Sequence, residues 1–146
     1  MTEAERLARE VERLFTLLVR ERERSSDAEE RALTSTQQLV LAAVADGGAQ
    51  RLGALAEAVG VTGATASRTV ESLVALGLVA RNADAADRRA LQIDATAEGR
   101  RLVRRRRTLL ARLLDRRLST LDPSERDRFI AVFTDLNDLL ETRAPA

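Results

Sequence analysis

The side chains best placed to do chemistry fall in two short stretches: Thr62, Gly63, Ala64, Thr65, Ser67 and Arg68, and then Asp87, Arg88 and Arg89. Hydroxyls and a guanidinium gathered at the start of a helix suit phosphate oxygens and base edges, and small residues at 63 and 64 allow close backbone approach. Arg68 is the one long donor of the first stretch, able to fork onto guanine O6 and N7 or onto a phosphate. Arginines at a hairpin tip, as at Arg88 and Arg89, fit a minor groove roughly 6 Å wide, with Asp87 placed to hold Arg89 by a charge-assisted hydrogen bond. This is recognition chemistry rather than bond making. The sequence has no His and no Cys, which removes the commonest general base and metal ligand, thiolate sites and disulfides. It carries no Gly-rich phosphate loop, nucleophile elbow or paired-carboxylate motif, so no enzyme activity, metal or cofactor is expected.

The elements that must position these residues follow from periodicity and caps. Thr34-Ser35-Thr36-Gln37 has capping-box spacing and opens a helix carrying Leu41 and Val44, which Asp46-Gly47-Gly48 closes. Leu52, Leu55, Ala56 and Val59 fall at i, i+3, i+4, i+7, one face of a two-turn helix that Gly60 ends. Thr62 then stands at an N-cap position, followed by an apolar face of Ala66, Val70, Leu73 and Val74 and a polar face of Thr65, Arg68, Thr69 and Ser72. Two helices joined by a turn of about three residues match a helix-turn-helix, whose second helix enters the major groove by its N-terminal residues. After Gly77 the period drops to 2: Leu78 to Arg81 and Ala90 to Ile93 read as paired strands, with the span Asn82 to Arg89 as an exposed hairpin loop. Thr96 opens a long helix, and Asp122-Pro123-Ser124-Glu125 starts another with proline at the first helical position.

Net charge is only +1, but its distribution along the chain is uneven. Residues 1–30 hold six Arg against nine acids, residues 95–121 nine against two, and residues 122–146 three against six, while residues 51–94 are balanced at five each. A positive face in the middle must therefore come from geometry, with Arg68, Arg88 and Arg89 projecting together. The run Arg104 to Arg107 lies between leucines and reads as part of a packed helix whose arginines meet acidic neighbours. Apolar stripes run along the terminal helices through Leu7, Val11, Leu14 and Leu18, and through Phe129, Val132, Phe133, Leu136 and Leu140. The helix between them carries Leu102, Val103, Leu109, Leu110, Leu113 and Leu114. A small cassette cannot cover helices about 30 Å long, so a partner chain is the natural cover. No apolar run approaches the ~18 residues that span a membrane and no leader-like segment opens the sequence, so the cytoplasm is the expected location.

In order and spacing, these landmarks resemble the MarR family of winged-helix transcriptional regulators. They are Leu33-Thr34 with Gln37, Leu55-Ala56 with Val59-Gly60-Val61, Thr65-Ala66-Ser67-Arg68, Leu73 with Gly77-Leu78-Val79, Asp87-Arg88-Arg89, and Thr96 with Gly99. The resemblance implies a mainly α fold with a small β-ribbon wing, a winged helix-turn-helix with interlocking N- and C-terminal dimerisation helices. It implies one domain over 1–146, with residues 33–95 reading DNA and residues 1–30 and 96–143 forming a helical dimerisation region. The partners implied are double-stranded DNA, a second copy of the chain and a small aromatic or anionic effector, with no membrane. By motif position Ala64, Thr65 and Arg68 face bases and phosphates, and Arg89 is the wing-tip arginine. The sequence departs from the family in lacking a proline often found in the wing. It departs again in opening the recognition helix with Gly63-Ala64, which shifts weight from direct base readout to shape readout through Arg89. The function implied is a sequence-specific, ligand-responsive repressor that binds a pseudo-palindromic operator as a homodimer. The alternative is a protein-interaction module that works through its helical dimer and whose DNA face has degenerated.

Overall fold

The computed structural model describes residues 1–24, 32–84, 86–87 and 90–142. They fall into two compact units, Met1–Gln38 and Leu39–Ala146. The first holds helix α1 (Glu3–Glu23), opened by a capping box in which Thr2 Oγ1 accepts from the Glu5 amide at 3.1 Å and Glu5 Oε2 accepts from the Thr2 amide at 2.6 Å. Its apolar residues are only partly covered: Leu7, Leu14 and Phe15 are exposed, Val11 and Leu18 half-buried, and no residue of the helix is buried among the described residues. In the same unit the Arg22 guanidinium donates to the Leu33 carbonyl at 2.6 Å. The second capping box forms as its spacing predicts, the Thr34 amide donating to Gln37 Oε1 at 2.7 Å and the Gln37 amide to Thr34 Oγ1 at 3.1 Å.

That box opens α2 (Ser35–Gly47), which presents Val40, Leu41 and Val44 to the core of the second unit and ends at Gly48, whose φ of 74° only glycine adopts without strain. The chain continues through β1 (Gln50–Arg51), α3 (Leu52–Val59), α4 (Gly63–Ala75), β2 (Val79–Ala83), β3 (Leu91–Ala95), α5 (Ala97–Leu118) and α6 (Pro123–Thr142). Among the described residues this is six helices and one antiparallel sheet of order β1-β3-β2. β2 and β3 pair from Val79↔Ala95 to Ala83↔Leu91, so each strand differs in extent from the pattern reading and the loop between them runs from Asp84 to Ala90. β1, with Gln50 opposite Ile93 and Arg51 opposite Gln92, is an addition that two residues without periodicity could not announce.

The core of the second unit is built from Val40, Leu41, Val44, Leu55, Val70 and Leu73, all essentially inaccessible. Each such side chain contributes about 1.5–3 kcal/mol on burial. The buried face of α4 is rotated from the expected one: Thr69 is buried and donates its hydroxyl to the Thr65 carbonyl at 2.8 Å, whereas Val74 is exposed. A threonine whose hydroxyl is satisfied by its own helix can pack as an apolar residue does.

A tight joint links the sheet to α5. The Thr96 amide donates to the Leu78 carbonyl at 3.0 Å, its hydroxyl donates to the Gly77 carbonyl at 2.7 Å, and the same oxygen caps α5 by accepting from the Gly99 amide at 3.1 Å. Gly99 is buried here, and a Cβ on it would lie 2.1 Å from the Leu78 carbonyl oxygen. Arg100 pairs with Asp94 at 2.7 Å and Arg107 with Asp46 at 2.8 Å, so at least one arginine of the 104–107 run meets an acid. Beyond Leu102 the long helices lie open, and no residue of α6 is buried among the described residues. α6 starts at a reciprocal cap between Asp122 and Glu125, both bonds 2.9 Å. Leu113 on α5 and Phe129, Ile130, Leu139 and Leu140 on α6 are exposed.

Candidate nucleic-acid interface

The interface is organised by the turn between α3 and α4. Gly60, at φ 76°, closes α3 by donating to the Ala56 carbonyl at 2.9 Å, and Val61 donates to the same carbonyl at 3.0 Å. This closure leaves Thr62 in extended backbone as the N-cap of α4. Its hydroxyl oxygen accepts from the Thr65 amide at 3.1 Å and donates its proton to Thr65 Oγ1 at 3.0 Å. The pair of bonds ties the two threonine side chains together at the start of α4.

Of the residues singled out from sequence, Thr62, Gly63, Ala64 and Arg68 are exposed and Thr65 and Ser67 half-buried, all on the first turn and a half of α4. The amides of Gly63 and Ala64 belong to the first turn, where no carbonyl of the helix can accept from them. Nothing lies within 4 Å of the place a Gly63 Cβ would take. The end of the helix is thus sterically bare, and a backbone or phosphate can reach it. No partner among the described residues holds the Arg68 guanidinium.

The β2–β3 loop is closed at its base by the Asp84 amide donating to the Ala90 carbonyl and the Ala90 amide to the Asp87 carbonyl, both at 3.0 Å. Arg88 and Arg89, the expected wing-tip arginines, lie outside the described residues, and with them the expected pairing of Asp87 with Arg89. Leu91 and Ile93 share a face as the alternation predicts, but only Ile93 is buried, because at Leu91 the ribbon has run beyond the core.

Asp84 is the residue that sequence reasoning missed. Placed by composition in an exposed loop, its side chain is only 10% exposed, and its carboxylate accepts from the Ala86 amide at 2.8 Å, Arg51 Nη2 at 3.0 Å and Gln92 Nε2 at 3.3 Å. The Ala86 amide first, and then Arg51, hold its carboxyl below the ordinary value of 3.8. An aspartate that bonds the amide two residues on is an Asx turn, and that local signal was present in the sequence. The partner Arg51 was not legible, because it sits on the unannounced strand. Among the described residues no group of His, Cys, Asp or Glu is arranged to hold a metal ion.

The profile of the MarR family matches residues 33–90, which contain the whole helix-turn-helix and most of the wing. No curated protein matches the chain by sequence. Among solved structures, FabT of Streptococcus pneumoniae in complex with DNA superposes with a TM-score of 0.79 at 16% identity, over 96% of this chain and 99% of that one. PcaV of Streptomyces coelicolor, bound to its natural ligand, gives a TM-score of 0.62 at 27% identity, over 94% and 93% of the two chains. BpsR of Bordetella bronchiseptica, whose DNA binding is described as regulated by 6-hydroxynicotinic acid, gives a TM-score of 0.61 at 26% identity, over 90% and 98%. Residues 33–90 thus match the MarR family of regulators, and along nearly its whole length the chain shares the fold of these solved structures.

Proposed function

We propose that this chain is a sequence-specific regulator that binds double-stranded DNA as a homodimer and represses by occupying a pseudo-palindromic operator, with half-sites about one helical turn, ~34 Å, apart. The carrying observation is the first turn and a half of α4: a Thr62 cap, a bare Gly63-Ala64 edge and an exposed Arg68, inside a segment that matches the family. In this reading Thr62, Gly63, Ala64, Thr65, Ser67 and Arg68 meet the major groove, and Arg88 and Arg89, supported by Asp87, meet the minor groove. Residues 33–95 form the reading region, and residues 1–30 and 96–143 the dimerisation region. The exposed Leu and Phe residues of α1, α5 and α6 support a second copy as their cover. No helix among the described residues is long and apolar enough to cross a membrane, which is consistent with work on DNA in the cytoplasm.

The structures of PcaV and BpsR support a small aromatic or anionic effector here too. With no Tyr, Trp or His in the sequence, the effector is held by apolar contacts and an arginine. It acts by its difference in affinity for two spacings of the recognition helices. The test is selection of bound duplexes from a random pool, followed by salt titration. Affinity falls steeply with salt, and Arg68→Ala or Arg89→Ala lowers the slope of log affinity against log salt by about one if that side chain meets a phosphate. A chain that selects no duplex, and whose association with DNA is indifferent to salt, would instead work through its helices alone.

A further inference from the structure

We infer that Arg51, aimed by Asp84, is a further phosphate-contacting residue of the DNA face, lying at the root of the wing; the inference rests on the DNA-binding reading above. Arg51 occupies β1 and is also the N-cap residue of α3, so its backbone is fixed on both sides: it pairs with Gln92 across the sheet and leads directly into the helix. Its side chain is 57% exposed, whereas that of Asp84 is 10% exposed. The pair is therefore asymmetric, a nearly buried carboxylate gripping one edge of a guanidinium whose other edge faces solvent.

The grip is specific. Asp84 Oδ2 accepts from Arg51 Nε at 3.4 Å and Nη2 at 3.0 Å, and Oδ1 accepts from the Ala86 amide at 2.8 Å. A guanidinium offers five N–H donors in a planar fork, so the two bonds to Asp84 leave three, including both on Nη1, in a fixed direction. Nη1 has no partner among the described residues. Preorganisation of this kind lowers the entropy lost when a flexible arginine meets a phosphate. Asp84 also opens the β2–β3 loop and donates its amide to the Ala90 carbonyl at 3.0 Å. Arg51 therefore stands where the wing leaves the sheet, beside the backbone that flanks the groove the wing enters. Asp84 is a positioning residue, because it acts through Arg51.

A phosphate contact carries no sequence information. It predicts that Arg51→Gln weakens the selected operator and a random duplex by the same factor, several-fold for each, and lowers the salt slope by about one. Arg51→Lys retains the slope, because charge is kept, but loses affinity, because Lys cannot be gripped at Nε. Asp84→Asn weakens binding in the wild-type background and has little further effect in Arg51→Gln. The measurements are fluorescence anisotropy of full-length variants across a salt series, well below each variant's thermal midpoint. An unchanged slope in Arg51→Gln, or an Asp84→Asn effect that persists undiminished in the Arg51→Gln background, overturns the inference. Should Arg51→Gln not fold, Arg51→Lys and Asp84→Asn decide it, and wild-type affinity in both overturns it. A wild-type chain that binds no duplex defeats the DNA-binding reading, and the inference with it. A wild-type chain that binds while Arg51 variants bind equally defeats the inference alone.

Discussion

Gly99→Ala adds one methyl group where α5 crosses the end of the sheet, and its cost can be worked from the backbone. The new Cβ would stand 2.1 Å from the Leu78 carbonyl oxygen, 3.0 Å from the carbonyl carbon and 3.1 Å from Leu41 Cδ1. Ordinary carbon–oxygen contacts are about 3.3 Å or longer, so the helix and the carbonyl must separate by about 1 Å. Neither yields easily, since that carbonyl also accepts from the Thr96 amide at 3.0 Å and Thr96 caps the helix itself. Overpacking of this kind costs roughly 1–3 kcal/mol or more, against about 1 kcal/mol gained from replacing a helical glycine by alanine. A backbone clash belongs at or beyond the upper end, so the expected net loss is ~2 kcal/mol, or a fall of ~6 °C in Tm for a chain of this size. Gly53→Ala in α3 is the internal control, because nothing lies within 4 Å of its added methyl. It should gain up to ~1 kcal/mol from helix propensity. Both are read by circular dichroism melts at one protein concentration, since a dimer's Tm depends on concentration. A Gly99→Ala protein as stable as wild type, or two glycine variants shifting in the same direction, would refute the reasoning.

Thr62→Ala removes a hydroxyl that both caps α4 and holds Thr65; urea unfolding should show a loss of about 1 kcal/mol, largely restored in Thr62→Ser. Gly63→Ala meets open space and should leave stability unchanged or slightly higher, while operator affinity falls as the methyl separates the helix amides from a phosphate. A variant that binds as wild type would remove close backbone approach from the account. Asp84 titrates lower in the folded chain than its ordinary value of 3.8, so the unfolded state takes up the proton first. Its contribution to stability is therefore complete above about pH 4 and fades as pH falls through the depressed folded value. Asp84→Asn should be less stable than wild type at neutral pH, with the gap narrowing in acid; equal gaps at neutral pH and at about pH 3 would contradict this.

Most of the fold was legible because its helix ends carry side chains that can act only one way. Thr34 with Gln37, Thr62, Thr96 and Asp122 with Glu125 each form the cap that their spacing predicts. Gly60 and Gly77 adopt the positive φ that marks a turn. What escaped is tertiary. Gln50-Arg51 becomes a strand only because Ile93 and Gln92 pass beside it, and two residues have no period of their own. Asp84 is buried by an arginine 33 positions away, a partnership invisible to any local pattern. Thr69 reads as a polar-face residue, yet an intrahelical bond lets it pack inward. The first turn of α4 was fully readable because cap, small residues and arginine are contiguous, whereas the wing's support was divided between distant segments.

The three bonds made by Thr96 have a mechanical consequence. Because one residue pins the strand end and starts α5, no unbonded linker residue lies between the ribbon and the 22-residue rod, and a tilt of the rod would be passed to the ribbon. The rod is about 33 Å long, so a displacement of about 3 Å at its far tip rotates the root by only about 5°. A displacement near Leu118 would thus reach the ribbon geared down, as a finely graded tilt.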